Sequence, residues 1–585
     1  MIRIVSLVFM LHFSMMLTSQ SQDEWMTYYE RSLGMETPRY TETIDYAKRL
    51  ASASSWVTYT TFGTSLQGRD LPLLILDRDG YSSPVQIRAA GRIVLFIEAC
   101  IHPGESEGKD AGLMLFRDIA INKTDTHLLN HVSILFIPVF NVDGHERFSA
   151  YNRINQNGPK EMGWRCTANN LNLNRDFLKA DAPEMRQWLT LYNRWLPEFF
   201  MDIHTTNGAD YQYTITYAAE VFGNMDESLS RWLDSSYVPY VVETMEQEGV
   251  LMFPYVSFRQ WHDPRSGLCS RTATPRYSVG YAATRNRPGL LVETHMLKPY
   301  KVRVEATCKL IINTLRYLNM YHNTVKRLVD KADKKCIFGD LSGKPFPLRY
   351  ELSSNDSIML AFKGYKYREV KSDITGSKYF IYSDTPHTFM IPWFKENLVV
   401  ESVMLPEAYI IPPEWGEVIN VLNWHGVVMD TIENDSLFSI TSYRFSQPHW
   451  HNKPYEGRIM INKFSVTTIY ENRMFPAGSV IVPVSQQAAR VIIHALEPES
   501  PDALIRWGFF NAIFEQKEYA EMYVMAEIAP LLLEDDPALM KAFMGFNEEV
   551  KNEKNRSWLI SNWFYERSPW YDEQKERYPI GRIEW

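Results

Sequence analysis

The chain has 585 residues, of which 45% are hydrophobic and 14% aromatic, so it can bury a sizeable core and has the length of two or three domains. Its net charge of -9 and its isoelectric point near 5.9 argue against a general nucleic-acid-binding protein. The five cysteines form no CxxC pair, which argues against a zinc site built from cysteines and against a disulfide-dense scaffold.

The N-terminus, MIRIVSLVFMLHFSMMLTSQSQ, has the order of regions that is typical of a secretory signal peptide. Arg3 provides a short basic region, an apolar stretch follows, and small residues precede a cleavage site near Ser21 and Gln22. The apolar stretch is too short for a membrane span, which needs about 20 apolar residues. We therefore predict a signal peptide over residues 1–21, a mature chain without a membrane span, and a secreted or periplasmic protein.

Apolar strand-like runs alternate with helical patterns from residue 92 to residue 310. The runs are RIVLFIEAC, VSILFIPVF, EFFMDIH and GLLVETH. Strands separated by helices indicate an α/β domain with a largely parallel or mixed sheet. We expect this domain to cover residues 22–330 and to end with a helix from Val302 to Val329.

The composition changes around residues 330–344, where DKADKKCIFGDLSGK marks a predicted domain boundary. Residues 340–484 alternate short β-type runs with turn clusters, which predicts a β-rich accessory domain. Residues 485–585 carry long helical patterns and are expected to form a helical C-terminal extension. His449 and His451, in the predicted accessory domain, lack a third ligand, so a second metal site is not expected there.

Three of the strand-like runs end in residues that bind metals or transfer protons. FIEACIHPGE provides His102 and Glu105, FFMDIHTTNG provides His204, and GLLVETH provides Glu293. Ligands of open α/β sheets bind outside the carboxyl ends of strands, so we expect these side chains to converge. Two neutral imidazoles and one carboxylate form a common shell of catalytic zinc, which leaves a fourth position for water. A nearby carboxylate can then take a proton from the activated water.

These motifs resemble one family in their identity and order. HPGE followed by LNLNRD, DIH and LLVETH resembles the zinc metallocarboxypeptidases of the carboxypeptidase A type, peptidase family M14. GTSLQGRDLPLLIL, from Gly63 to Leu76, and NVDG, from Asn141 to Gly144, also look like segments of that family. The similarity covers roughly residues 40 to 320. It implies an α/β fold in which a mixed sheet carries helices on both faces.

The resemblance also implies a metal site. His102, Glu105 and His204 would bind one zinc ion per chain, and Glu293 would be the general base that deprotonates the zinc-bound water. Gly104, between the first two ligands, is expected to let the backbone turn tightly. His262 and His295 do not extend the pattern, and we interpret both as structural residues or as neighbours of the ligands.

Other matching residues would bind the substrate. Asn174 and Arg175 match the pair that holds a terminal carboxylate, and a guanidinium suits this task because it forms two parallel charge-assisted hydrogen bonds with a carboxylate. Arg165 resembles the arginine that polarises the scissile carbonyl and stabilises its oxyanion. Arg153 is its rival, and the short spacing between Arg165 and Asn174 favours Arg165.

Candidate determinants of substrate specificity lie between Arg271 and Arg287. The family's mobile tyrosine has no unambiguous match, and Tyr277 and Tyr281 are candidate substrate-binding residues with core packing as the alternative. The specificity position falls near Ser278. Four arginines lie close to it in the sequence and either favour an acidic substrate side chain or form structural ion pairs: Arg271, Arg276, Arg285 and Arg287.

Together the motifs predict an exported zinc-dependent metallocarboxypeptidase that hydrolyses a peptide bond next to a free C-terminal carboxylate. The alternatives are a zinc amidase that acts on cell-wall peptides or acylated amino acids, and a catalytically inactive binding protein on the same scaffold. The intact set of ligands, base and Asn–Arg pair favours an active enzyme. The expected partner is a peptide or peptide-like substrate, and no nucleic acid is expected.

Overall fold

The computed structural model describes residues 24–206, 208–534 and 536–584, so the predicted signal peptide lies outside the described residues. The chain forms two compact units. The first comprises residues up to Glu407, Gly416–Asp430 and Val482–Ala503, and the second comprises Ala408–Trp415, Thr431–Ile481 and the residues from Leu504 onward. Within the described ranges, none of the helices is long and apolar enough to span a membrane.

A mixed sheet of eight strands forms the centre of the first unit. The first nine strands of the chain are β1 (Val57–Thr64), β2 (Asp70–Leu76), β3 (Ile93–Ala99), β4 (Val132–Ile137), β5 (Phe199–Thr206), β6 (Ile215–Ala218), β7 (Met252–Pro254), β8 (Leu268–Cys269) and β9 (Gly289–His295). All except β8 belong to this sheet, in the order β1-β2-β4-β3-β5-β9-β6-β7. β3 is parallel to β4 and β5, and β5 is parallel to β9, whereas β1 and β2 are antiparallel to each other. The predicted α/β fold with a mixed sheet is confirmed.

Helices connect these strands. The α-helices of the first unit are Tyr28–Arg31, Tyr40–Ala53, Pro84–Ala89, Glu107–Ala120, Val142–Glu146, Pro183–Trp195, Glu227–Trp232, Val238–Gln247, Ser278–Thr284, Tyr300–Ile337, Gly416–Trp424 and Ala489–Leu496. Short 3-10 helices cover Thr126–Leu129, Leu173–Arg175 and Pro264–Ser266, and a π-helical turn covers Leu233–Tyr237.

The helices cover both faces of the sheet, and β3 shows how. All of its side chains are buried, and successive side chains of a strand point to opposite faces. Ile97 packs into the core that includes the helix Glu107–Ala120. Phe96, on the other face, stacks against Trp188 of the helix Pro183–Trp195, with ring centroids 5.8 Å apart. A strand that is buried on both faces has a continuous apolar sequence, which explains the pattern RIVLFIEAC.

The helix Tyr300–Ile337 continues past its predicted end at Val329. Val325, Val329, Ala332 and Cys336 are all buried. Their spacing of three and four residues keeps them on one face of the helix. The apolar stripe therefore persists beneath the charged residues that led us to predict a domain boundary there.

Strands of the predicted accessory domain, residues 340–484, occur in both units. In the first unit β10 (Pro345–Leu352) pairs with β13 (Asn397–Met404), and β11 (Ile358–Lys371) forms a hairpin with β12 (Lys378–Phe394). The end of β12 is hydrogen-bonded in parallel to β8. The boundaries of the two compact units therefore differ from those of the three predicted segments, residues 22–330, 340–484 and 485–585. The division of the chain into these segments stays a prediction.

The second unit is centred on a six-stranded sheet with the order β15-β18-β14-β19-β16-β17. Its strands are β14 (Ala408–Ile411), β15 (Asp430–Thr431), β16 (Ser436–Trp450), β17 (Ile461–Phe475), β18 (Val480–Pro483) and β19 (Gly581–Ile583). Its helices are Met522–Glu534, Pro537–Glu549 and Arg556–Tyr565, with 3-10 turns at Pro413–Trp415 and Asn511–Phe514. The C-terminal region thus contains helices, as the sequence predicts, but its last strand returns to the sheet.

Gly112 tests the packing of a helix against the sheet. A Cβ atom at this position would lie 2.2 Å from the ring of Phe136. Although alanine is the better helix former, we expect Gly112→Ala to lower the free energy of unfolding by about 1–3 kcal/mol, because the core must accommodate an extra methyl group. Gly545 of the helix Pro537–Glu549 is the matched control, since nothing lies within 4 Å of the position that an added methyl group would take there. Gly545→Ala should stabilise its helix by about 0.5–1 kcal/mol. Thermal unfolding followed by circular dichroism measures both, and an unchanged Gly112→Ala protein would contradict the packing argument.

Candidate metal centre

Three predicted metal ligands meet in the first unit. Single donor atoms of His102, Glu105 and His204 all lie within 4.8 Å of one another, and all three side chains are buried. The Nδ1 atoms of the two imidazoles are 3.2 Å apart. The Glu105 carboxylate places one oxygen 3.2 Å from His102 Nδ1 and the other 3.0 Å from His204 Nδ1. Within the part of the chain that the structure describes, no other group of His, Cys, Asp and Glu side chains forms such a cluster.

The sheet brings these residues together from distant parts of the chain. β3 and β5 are parallel neighbours in a register that places Ala99 opposite Ile203. The carboxyl ends of parallel strands lie at the same edge of a sheet. His204 is therefore next to the turn after β3, which carries His102 and Glu105.

Gly104 allows close packing in the turn after β3. Its φ is not in the left-handed region, but a Cβ atom would lie 2.3 Å from Cδ of Arg153. Gly104 lies in a tight turn, as predicted, in which the backbone N–H of Glu105 donates to the carbonyl oxygen of His102 at 2.8 Å, and its missing Cβ admits the Arg153 side chain. The guanidinium of Arg153 donates to Glu105 Oε1 at 2.7 Å and to the carbonyl oxygen of Thr205 at 3.1 Å. Arg153 thus links the turn after β3 to the end of β5.

Both imidazoles are also held on the nitrogen that faces away from the cluster. Nε2 of His204 lies 2.6 Å from Asp202 Oδ2, and Nε2 of His102 lies 3.0 Å from Asn172 Oδ1. Partners of this kind fix the ring orientation and the basicity of a metal ligand. The sequence motifs did not reveal either partner. Asp202 could have been found because it precedes His204 by two residues on a strand and so lies on the same face.

The ionisation of the three donors suits a cation. Burial lowers the pKa of His102 to about 4, so this imidazole is neutral. Burial disfavours the charged form of Glu105, but Arg153 and His102 outweigh it and hold the pKa well below the usual value. Burial opposes the protonation of His204, but the carboxylates of Asp202 and Glu105 raise its pKa well above the usual value. A bound cation would therefore stabilise the negative charge of this buried site, and the donor set of two imidazoles and one carboxylate fits Zn²⁺.

Glu293 lies beside the cluster. The parallel register of β5 and β9 places it opposite His204, so both side chains project side by side at this edge of the sheet. Burial raises the pKa of the Glu293 carboxyl to about 8, against an opposing effect of His204. A carboxyl group whose pKa lies near neutrality can both accept and donate a proton.

A cleft of about 350 Å³ opens onto the donor cluster. Three arginines and one asparagine line it with the donors and Glu293: Arg153, Arg165, Arg175 and Asn174. The other lining residues are Thr205, Thr206, Tyr255, Tyr277 and Leu291. The cleft therefore offers positive charge and hydrogen-bond donors to an anionic group.

The predicted substrate-binding residues Arg165, Asn174, Arg175 and Tyr277 meet in this cleft. Arg165 is 40% exposed and approaches Glu105 Oε1 at 3.5 Å, which is a weaker contact than that of Arg153. The guanidinium of Arg175 lies over the ring of Tyr277, with its central carbon 4.7 Å from the ring centroid. Tyr277 thus supports Arg175 from one side.

Arg165 is positioned by two motifs that lie outside the cleft. Asp143 of NVDG forms an ion pair with Arg69 of GTSLQGRD at 2.7 Å, which joins the two motifs. A Cβ atom at Gly144 would lie 2.5 Å from the carbonyl oxygen of Cys166. The glycine therefore lets the segment that carries Arg165 pack directly on the NVDG turn.

The structure does not bring Tyr281 to the cleft, which corrects the prediction that it binds substrate. Tyr281 is fully buried among aromatic rings, and its hydroxyl group is hydrogen-bonded to His425 Nδ1 at 3.0 Å. Tyr255 lines the cleft and was missed by the sequence analysis. Burial and the negative charge of Glu293 raise its pKa to about 12, so the hydroxyl stays protonated.

Three of the four arginines near Ser278 have structural partners. Arg276 pairs with Asp502 at 2.5 Å, Arg287 pairs with Asp333 at 2.8 Å, and Arg285 donates to the carbonyl oxygen of His425 at 2.8 Å. They therefore do not select an acidic substrate side chain. His262 and His295, which do not extend the ligand pattern, have structural partners as well. His295 pairs with Asp210 at 3.0 Å, and His262 contacts the hydroxyl of Tyr382 at 3.3 Å.

Comparisons with known proteins found several similarities. Residues 43–278 match the family model for zinc carboxypeptidases. The chain is similar to Carboxypeptidase 2 of Trichophyton equinum and of Trichophyton tonsurans, with 24% identity to each over 493 residues, 81% of this chain and 85% of each relative. Among solved structures it is similar to a metallo-carboxypeptidase from Pseudomonas aeruginosa, with 19% identity, a TM-score of 0.36, and coverage of 49% of this chain and 69% of that chain.

The mixed sheet, the His–Glu–His group at its edge and the family match define a zinc metallopeptidase. The match over residues 43–278 supports the zinc carboxypeptidase family, peptidase family M14. The resemblance inferred from HPGE, LNLNRD and LLVETH is confirmed.

The hydrogen bond from Arg153 to Glu105 gives a test of the metal centre. We expect Arg153→Met to weaken zinc binding about 10- to 100-fold, because the Glu105 carboxylate loses the donor that orients it. Methionine keeps much of the side-chain length that packs over Gly104. Arg165→Met is the matched control and should change the affinity much less, since its contact with Glu105 is 3.5 Å long. Competition with a chromophoric chelator measures both, and equal losses would contradict the role given to Arg153.

Proposed function

We propose that this protein is an exported metallocarboxypeptidase that removes the C-terminal residue of peptides with a free carboxylate. The observation that carries the proposal is that one cleft contains the His–Glu–His group, Glu293 and the Asn174–Arg175 pair. The names of the similar Trichophyton proteins support this activity. The N-terminal sequence supports export.

In the proposal one zinc ion per chain is held by His102, Glu105 and His204. When bound, zinc supplies Lewis-acid chemistry, since it polarises a carbonyl group and lowers the pKa of water towards about 7. Glu293 acts as the general base that takes a proton from water and returns it to the leaving amine. Its raised pKa suits both transfers, because the carboxyl group accepts and releases a proton near neutral pH.

The remaining groups of the cleft orient the substrate. Asn174 and Arg175 hold the terminal carboxylate, and the contact with Tyr277 keeps the guanidinium of Arg175 in place. Arg165 donates to the oxyanion that develops from the scissile carbonyl, and its partly exposed side chain can reach the reacting group. These roles account for two of the three arginines, while Arg153 is engaged with Glu105.

Glu293→Gln tests the general base. We expect this variant to bind zinc as the wild type does and to lose about 10²- to 10⁴-fold in kcat, because glutamine cannot accept the proton. Zinc content by atomic absorption and steady-state hydrolysis of a blocked dipeptide measure the two properties. Near-normal turnover would place the base elsewhere, and a loss of zinc would show that the substitution disturbs the site itself.

Arg175→Ala tests the carboxylate clamp. The wild-type enzyme should cleave a free-acid peptide about 10- to 100-fold better than its C-terminal amide, because the amide cannot form the charged pair and leaves the guanidinium poorly satisfied. Arg175→Ala should remove most of this preference by slowing the acid much more than the amide. The kcat/KM values of the matched substrates decide the question. Equal losses on both substrates would mean that Arg175 supports the metal centre and does not bind the terminus.

A further inference from the structure

A second cavity, of about 520 Å³, lies in the first unit. Its walls come from residues within 221–230 and 335–347 and from Arg490, and we call it the Arg490 pocket. Among the residues that the structure describes, it shares none with the cleft that holds the metal ligands. Its volume is in the range of small-molecule sites, about 300–1,000 Å³. The Arg490 pocket is therefore a separate candidate binding site.

Arg490 contributes a buried positive charge to this pocket. It belongs to the buried helix Ala489–Leu496 and is only 9% exposed. Its guanidinium lies over the ring of Phe346, with its central carbon 5.5 Å from the ring centroid, and donates to the carbonyl oxygen of Asn224 at 3.3 Å. Its Nε atom has no hydrogen-bond partner among the described residues. An arginine keeps its positive charge in proteins, so most of the donor capacity of a buried cation is unused here.

The acidic groups near Arg490 do not form an ion pair with it in the described part of the chain. The carboxylate of Asp226 is bound to Lys335 Nζ at 2.5 Å. Burial disfavours the charged form of Asp226, but this bond outweighs it and lowers the pKa. Burial raises the pKa of the neighbouring Cys336 thiol, so the thiol stays neutral. A buried charge without a partner is unfavourable, and an anionic group of a ligand would remove this cost.

The other charged residues of the pocket have both signs: Lys335, Lys344, Asp226, Glu227 and Asp340. Lys335 and Asp226 are paired with each other, and Glu227 is paired with Arg231. Lys344 and Asp340 are exposed and form no ion pair within the described ranges. The carboxylates would repel a phosphate or another multiply charged anion. The charges therefore favour a ligand that carries one carboxylate together with one ammonium group.

Apolar side chains form much of the remaining wall. They are Phe222, Met225, Leu341, Pro345 and Phe346. A small-molecule site usually combines such a wall with a few polar groups that fix the orientation of the ligand. Ser230 also lines the pocket, and its buried hydroxyl group has no hydrogen-bond partner among the described residues. The pocket thus offers an apolar surface beside unused polar groups.

We propose that the Arg490 pocket binds a free α-amino acid with an apolar side chain. The guanidinium of Arg490 donates to the carboxylate, since this pair forms strong charge-assisted hydrogen bonds. Asp340 accepts from the ammonium group, and the apolar side chain packs against Phe346 and Leu341. The proposed carboxypeptidase function would release amino acids of this kind, but their binding here does not depend on it.

Isothermal titration calorimetry on the zinc-loaded Arg175→Ala protein tests the pocket, because this variant lacks the guanidinium proposed to hold a carboxylate in the catalytic cleft. The probes are leucine, isocaproate, which lacks the amino group, isopentylamine, which lacks the carboxylate, and inorganic phosphate. We expect leucine to bind at a single site. Isocaproate and isopentylamine should bind about 10- to 100-fold more weakly, because each leaves one charged group of the pocket unsatisfied. Phosphate should bind more weakly than leucine.

Three further substitutions, made in the same protein, locate the site. Arg490→Met should weaken leucine binding about 10- to 100-fold, because methionine packs on Phe346 but cannot donate to a carboxylate. Arg327→Met is the matched control, since it removes the same charge from an exposed position of the helix Tyr300–Ile337 outside the pocket, and it should leave the affinity unchanged. Asp340→Asn should weaken the binding of leucine but not that of isocaproate, which has no ammonium group.

The possible results decide the proposal. Thermal unfolding shows whether each variant is folded, and Asp340→Asn with the two leucine analogues decides if Arg490→Met is not. Absence of leucine binding at millimolar concentrations overturns the proposal, and so does leucine binding that neither Arg490→Met nor Asp340→Asn changes. Tighter binding of phosphate or isocaproate than of leucine would overturn it as well. None of these measurements requires turnover, so an inactive enzyme would contradict only the proposed function.

Discussion

The parallel pairing of β3 with β5 is the interaction on which the site depends. A zinc ion requires its donor atoms at about 2 Å, yet the two imidazoles are 102 residues apart in the chain. The register of the two strands brings them together, and β9 continues it so that Glu293 lies beside His204. A shift of β5 by one residue would turn His204 to the opposite face of the sheet, and the metal site would be lost.

The same register buries two carboxyl groups behind the metal centre. Glu98 of β3 lies opposite Asp202 of β5, and Asp202 is hydrogen-bonded to His204. Burial and the nearby Asp202 raise the pKa of Glu98 well above its usual value, which favours its protonated form. The indole N–H of Trp188 satisfies one of its oxygens at 2.6 Å. The protein thus limits the negative charge behind His204 while it keeps the carboxylate that orients the imidazole.

The sequence was sufficient to predict that His102, Glu105, His204 and Glu293 meet in one site, because each of them follows a recognisable apolar strand within a short motif. It was not sufficient for residues whose role depends on contacts across the fold. Asn172 and Tyr255 belong to irregular segments without a periodic pattern. Arg490 reaches its pocket only because Val482–Ala503 packs onto the first unit, a return of the chain that no sequence pattern marks. Tyr281 stayed one of two candidates, because the sequence does not distinguish a tyrosine at the cleft from one in the aromatic core.

The first unit is completed by a segment that is made late in translation. Val482–Ala503 belongs to this unit, the helix Ala489–Leu496 within it is fully buried, and Asp502 receives hydrogen bonds from the side chain and backbone of Arg276. At about 5–20 residues per second, the ribosome adds Asp502 roughly 10 to 40 seconds after Glu293. During this interval the nascent chain already contains His102, Glu105, His204 and Glu293, but the surface that the helix covers is still exposed, and exposed hydrophobic surface makes incomplete chains prone to aggregation.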